Sequence, residues 1–207
     1  MGDYAIAWNK YRQKTASTFL NLEKKSLVKL NLSGLTLDLM CGQYLFSDCF
    51  SQIVGLDWSK DMLKIEGFSE FLVMGNAKEL PFKTSSFSNV ICMGNTFPGF
   101  DKEDMLIILK EAKRVLKRKG TFVLSYNKRY PVNLSGLKKL KEAFIANLKG
   151  RPECCPIIHP SSIFKNLNTY LFTKNELKKF IMGAGYNNPK SLSNPWWHIG
   201  VISFEKS

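Results

Sequence analysis

The sequence predicts a three-layer α/β sandwich: a mostly parallel seven-stranded sheet covered by helices on both faces, with an antiparallel hairpin at its carboxyl-terminal edge. Three observations predict it. Short apolar runs at Leu35–Met40, Ile53–Asp57, Phe71–Met74, Val90–Met93 and Thr121–Tyr126 read as strands separated by turn and helix signals. The first run leads into a glycine turn, Asp38-Leu39-Met40-Cys41-Gly42, and the second ends in an acid, Asp57. The tail from Ser191 to Phe204 supplies two last strands without an intervening helix.

The helices follow in chain order. Residues 4–30 read as helical, with Ile6, Trp8, Tyr11, Thr15, Phe19 and Leu22 along one face. Ser59 is placed to cap a short helix through Met62 and Ile65. Asp101 caps a longer one whose apolar positions 105, 108, 109, 112, 115 and 116 keep helical spacing, and Lys119-Gly120 is expected to stop it. Thr173-Lys174-Asn175-Glu176 forms a capping box for a helix ending at Gly183-Ala184-Gly185. Right-handed crossovers bring the carboxyl ends of the parallel strands to one edge, where ligands bind in open α/β sheets.

Between residues 131 and 170 the rhythm breaks. A basic amphipathic helix is expected over Leu134–Leu148, with Leu137, Leu140, Phe144 and Leu148 on one face. An irregular stretch follows from Arg151 to His159-Pro160, and long loops of this kind serve as lids or binding elements. The chain is therefore read as one domain, 1–207, with an N-terminal helical segment 1–32 and a substrate-cover insertion at about 131–170.

Composition narrows the function classes. With 44% hydrophobic residues the chain is not a disordered one. No apolar run approaches the ~18 residues of a membrane span. The start, Met1-Gly2-Asp3-Tyr4-Ala5-Ile6, has neither a signal-peptide core nor a myristoylation motif, so a cytoplasmic location is expected. Five cysteines without a C-x-x-C pair and two histidines, His159 and His198, predict no metal site. Cys41 and Cys92 read as small buried residues of the sheet, and Cys154-Cys155 as loop residues. The net charge is +13, and residues 101–150 hold 13 Lys/Arg against 5 Asp/Glu, so +8 of it lies there. Such a field suits nucleic acid, anionic membrane or acidic small molecules, and equally a solvated lysine surface.

Several segments carry a family resemblance when taken in order. Val54 to Leu63 is similar to the pattern vGvDxSxxML. Gly75 to Phe82, followed by Ser86 to Val90, is similar to gDaexLPFxdxsFDxV. Leu109 to Gly120 is similar to lxExxRVLKPGG, and Leu171 to Leu177 with Ala184-Gly185-Tyr186 to fTxeELxxllxxAGF. Together with the Asp38–Gly42 turn, they resemble the class I S-adenosylmethionine-dependent methyltransferases, whose sheet is Rossmann-like. The turn departs from that family's pattern, because Met40 and Tyr44 stand where glycines usually flank Gly42.

The resemblance implies a cofactor site and a role for each residue. Asp38 opens the loop and Gly42 lets backbone approach the methionine part of S-adenosyl-L-methionine. Asp57 accepts from the ribose hydroxyls. Trp58 and Met62 wall the adenine, Asn76 accepts from its amino group, and Ala77 offers a backbone N–H. Asn95 and Thr96 close the site near the sulfonium. Competing structural roles are a helix cap for Asp57, core packing for Trp58 and Met62, and an Asx turn for Asn95.

No catalytic base stands out. Asn95-Thr96-Phe97-Pro98 keeps only the first residue of the Asn-Pro-Pro-Tyr motif of amino methyltransferases, and there is no Pro-Cys nucleophile pair. Tyr11, Tyr126, His159 and, in the tail, His198 are candidates by residue type. The expected acceptor is a small molecule. A tRNA or rRNA methyltransferase and a non-catalytic methyltransferase-like subunit are the alternatives.

Overall fold

The structure, a computed structural model, describes residues 20–43, 45–64, 71–127, 154–156, 168–170, 172–192 and 199–207. Residues 20–29 form helix α1. The strands are β1 (Thr36–Leu39), β2 (Ile53–Asp57), β3 (Leu72–Met74), β4 (Phe87–Cys92) and β5 (Leu116–Asn127), with helix α2 (Lys102–Val115) between the last two. After them come β6 (Cys154–Pro156), β7 (Asn168–Tyr170), helix α3 (Lys174–Gly183), β8 (Tyr186–Ser191) and β9 (Ile199–Lys206).

The main sheet has seven strands in the order β3-β2-β1-β4-β5-β9-β8. Strands β1 to β5 pair in parallel, whereas β9 runs antiparallel to both β5 and β8. This is the predicted Rossmann-like sandwich with its antiparallel edge hairpin. Alternation along the strands divides the core into two layers. On one face Leu37, Leu39, Leu56, Val90, Phe122 and Leu124 meet Met105, Ile108 and Leu109 of α2 and Leu177 and Ile181 of α3. On the other, Ile53, Ile91, Val123 and Val201 meet Leu27 of α1.

Two of the three predicted caps form. The Asp101 side chain accepts from the Asp104 N–H, and Thr173 and Glu176 make a reciprocal capping box. A clamp ties α2 to the loop before β4. Glu111 Oε2 accepts from the Leu80 N–H at 2.7 Å, while Arg114 bonds Glu111 and donates to the carbonyls of Leu80 and Phe82.

Five expectations need correction. Helix α2 ends at Val115 rather than Lys119, because fully buried Leu116 turns into the sheet and pairs with Phe87; its apolar spacing imitates a further helical position. Strand β8 begins at Tyr186 rather than Ser191, since the Tyr186 ring is buried in the core and its hydroxyl donates to the Leu109 carbonyl. The stretch after Arg151 is not wholly irregular: β6 pairs antiparallel with β7. Ser59 starts a single turn, its carbonyl accepting from the N–H groups of Met62 and Leu63, and no helix follows through residue 64. Cys41 is buried as expected but lies just beyond β1, in the turn. The helix expected over Leu134–Leu148 and most of segment 1–32 lie outside the described residues.

Candidate functional site

The parallel strands β1, β2, β3 and β4 end together at one edge of the sheet, and the turns that leave them bring most of the expected residues together. At the end of β1 the chain takes two left-handed residues, Met40 at φ 59° and Gly42 at φ 53°. Met40 thus adopts a conformation that glycine takes without strain, and the turn keeps its course with one glycine. A Cβ on Gly42 would lie 3.1 Å from Met62 Cε, so the turn also packs closely.

Asp57, at the tip of β2, is only 7% exposed. Its Oδ2 accepts from the Gly42 N–H and its Oδ1 from the Ser59 N–H, each at 2.9 Å. Its backbone carbonyl accepts from the Gly75 N–H after β3. One residue therefore organises three of the four turns. The bond to Ser59 is an Asx-turn contact rather than the expected helix cap, since no helix follows through residue 64, and it uses only part of the carboxylate. Two backbone donors occupy two of about four lone-pair positions, which leaves room for two ligand hydroxyls.

Trp58 is 65% exposed and Met74, at the tip of β3, 64%. Trp58 is therefore not core, and two large apolar side chains stand in solvent at the ends of neighbouring strands. Met62 is buried against the Gly42 turn. Asn76 makes an Asx turn, its Oδ1 accepting from the Lys78 N–H at 2.9 Å. The backbone N–H of Ala77 has no partner among the described residues. Asp38 is buried within β1, between Gly55 and Ile91.

The end of β4 holds a second polar group. Asn95 adopts φ 56°, and its N–H donates to the buried Ser125 hydroxyl at 2.9 Å. Its Oδ1 is buried without a hydrogen-bond partner among the described residues, so it makes no Asx turn. Thr96 Oγ1 donates to the Met93 carbonyl. Sequence reasoning missed Glu23 of α1, which is 4% exposed and accepts from the Gly94 N–H at 3.0 Å. The signal was there: Glu23 interrupts the apolar stripe Leu20, Leu27 and Leu30, where a solvated acid does not belong. Burial pushes the Cys92 thiol up, with the charges of Asp38 and then Glu23 adding to the effect, so both acids act at the tip of β4. Cys49 is likewise pushed up to about 11, chiefly by burial, and neither thiol is a nucleophile at neutral pH.

Of the base candidates, Tyr126 is fully buried and its hydroxyl has no partner among the described residues. Its ring lies against Gly200, where any Cβ would overlap it. Burial pushes its hydroxyl up to about 12, so it remains protonated at neutral pH and offers a donor rather than a base. Tyr11, His159 and His198 lie outside the described residues. Among the described residues no group of three or more His, Cys, Asp or Glu could hold a metal, and no helix is long and apolar enough to cross a membrane.

Comparison with known proteins bears on the family and the fold. Residues 37–124 match the model of a methyltransferase domain family. No curated protein matches the chain. Among solved structures, a S-adenosylmethionine-dependent methyltransferase of Thermotoga maritima, described as a possible histamine N-methyltransferase, superposes with a TM-score of 0.70 at 19% identity, covering 100% of this chain and 97% of that one. A S-adenosylmethionine-dependent methyltransferase of Clostridium acetobutylicum gives 0.66 at 13% identity, covering 97% and 99%. Magnesium protoporphyrin IX methyltransferase of Synechocystis, solved with S-adenosylhomocysteine, gives 0.62 at 14% identity, covering 98% and 94%.

Proposed function

We propose that this chain is a class I S-adenosylmethionine-dependent methyltransferase that transfers a methyl group from S-adenosyl-L-methionine to a small-molecule acceptor; the methyltransferase-domain match over residues 37–124 and the Rossmann-like sheet support the reading. The observation that carries the reading is Asp57: a buried carboxylate at a strand tip, fixed by the Gly42 and Ser59 N–H groups and still able to accept twice more.

The remaining residues fit the cofactor. Exposed Trp58 and Met74 supply apolar faces for a purine, and burying them on a ligand is favourable. The Ala77 N–H is an available donor for a ring nitrogen. Asp38 and Glu23 give the tip of β4 a negative field, which favours a sulfonium cation. When bound, the cofactor supplies an activated methyl group. The protein's part is then alignment and exclusion of water. Asn95 Oδ1, a buried acceptor held by the Ser125 hydroxyl through its own backbone N–H, is suited to orient an N–H or O–H of the acceptor.

A small acceptor is favoured because Tyr170 of β7 packs on the main core and stacks on Phe172, which anchors the end of the inserted segment to the domain. The test is incubation with methyl-labelled cofactor and a fractionated metabolite extract. Label in a small-molecule fraction, lost in the Asp57→Ala variant, supports the reading. Label confined to RNA, or cofactor bound without any transfer, contradicts it.

A further inference from the structure

At the opposite edge of the sheet, where the parallel strands begin, lies a cleft of about 340 Å³ lined by Ser33, Ser88, Lys117, Arg118, Lys119 and Thr121, among others. Its lining contains three cations and no acid. All three are exposed, and none makes an ion pair or hydrogen bond among the described residues. The hydroxyls of Ser33, Ser88 and Thr121 are also without partners there. The floor is built rather than loose: buried Asn89 donates through Nδ2 to the Ser33 carbonyl at 3.0 Å and to Thr36 Oγ1 at 3.1 Å. Arg118 and Lys119 stand where the pattern lxExxRVLKPGG has proline and glycine. Lys119 even holds φ 61°, a conformation in which glycine would be unstrained.

We propose that this cleft binds a phosphate group. An arginine fork, two ammonium groups and three hydroxyl donors on a rigid floor match several phosphate oxygens at once. A carboxylate has too few oxygens to engage them. The phosphate could belong to a phosphorylated small molecule or to an RNA backbone, and these sources are separable by salt dependence. The site is independent of methyl transfer, since its strand ends are remote from Asp57.

The experiment is titration of the full chain with pyrophosphate, with a short single-stranded RNA and with acetate, followed by amide resonances and calorimetry. The resonances of Gly120 and Thr121 should move with pyrophosphate or RNA and not with acetate. In a variant combining Lys117→Gln, Arg118→Gln and Lys119→Asn, affinity should fall at least about tenfold for loss of charge-assisted hydrogen bonds. Asn is chosen at 119 because it tolerates left-handed backbone, and Arg118→Gln alone serves if the combined variant does not fold. Binding of pyrophosphate alone identifies a small phosphorylated ligand. RNA binding that falls steeply with salt identifies a nucleic-acid backbone. Unmoved Gly120 and Thr121 resonances, an equal response to acetate, or affinity unchanged in the folded variant overturns the proposal.

Discussion

The backbone N–H of Gly42 donates to Oδ2 of Asp57 across 2.9 Å, joining two turns that lie fifteen residues apart in sequence. The same carboxylate holds Ser59, and the same residue's carbonyl holds Gly75. The acid that is proposed to bind a ribose therefore also sets the backbone around it, so site geometry and local stability are coupled.

That coupling makes Gly42 sensitive. Its φ of 53° is left-handed, and an added Cβ would crowd Met62. Gly42→Ala should cost roughly 1–2 kcal/mol from left-handed backbone alone. Urea unfolding checks it, and an unchanged midpoint would mean that the turn relaxes elsewhere.

Glu23 should matter at the far side of the site. Glu23→Ala leaves the Gly94 N–H without its acceptor and should cost about 1–3 kcal/mol, whereas Glu23→Gln keeps a carbonyl and should cost less. Hydrogen exchange at Gly94, faster in the alanine variant than in the glutamine one, is the local readout.

Tyr126→Phe separates a catalytic hydroxyl from a packed one. Removing a buried hydroxyl that has no partner among the described residues should be neutral or raise stability by about 1 kcal/mol. Unchanged kcat is expected; a loss of more than about tenfold would assign Tyr126 a proton-donating role.

The α2 clamp predicts acid sensitivity. The hydrogen bond from Arg114, aided by the Leu80 N–H and opposed by partial burial, holds the Glu111 carboxyl below its ordinary value. Because the folded value is depressed, the contribution is complete above the unfolded pKa and is lost as pH falls through the folded one. Glu111→Gln should cost about 1.5–3 kcal/mol at neutral pH. It should also flatten the decline in stability below about pH 4. Parallel pH profiles of the two proteins would refute this.

The sheet was legible because its strands carry their own punctuation. Strand β2 runs from Ile53 to Asp57 as expected, since its apolar residues end sharply in an acid. The boundary at Leu116 was not legible, because a buried leucine after Val115 satisfies helical and strand periodicity alike. In the candidate site, Asp57 stood out as an acid at a strand end, and Gly42 and Asn95 as turn residues just beyond strands. Glu23 was marked only by its break in the apolar stripe of α1, and nothing in the sequence pointed to its partner Gly94, 71 residues away. Met74 was hidden as a strand residue, although it ends a short strand at the sheet edge and is 64% exposed.

Calorimetric titration of the intact chain and its Asp57→Ala variant with S-adenosylhomocysteine tests the central claim most directly. Losing charge-assisted hydrogen bonds costs about 1.5–3 kcal/mol, so affinity should fall roughly ten- to a hundredfold while the variant remains folded. Equal affinity in the two folded proteins would remove Asp57 from the cofactor site and contradict the account.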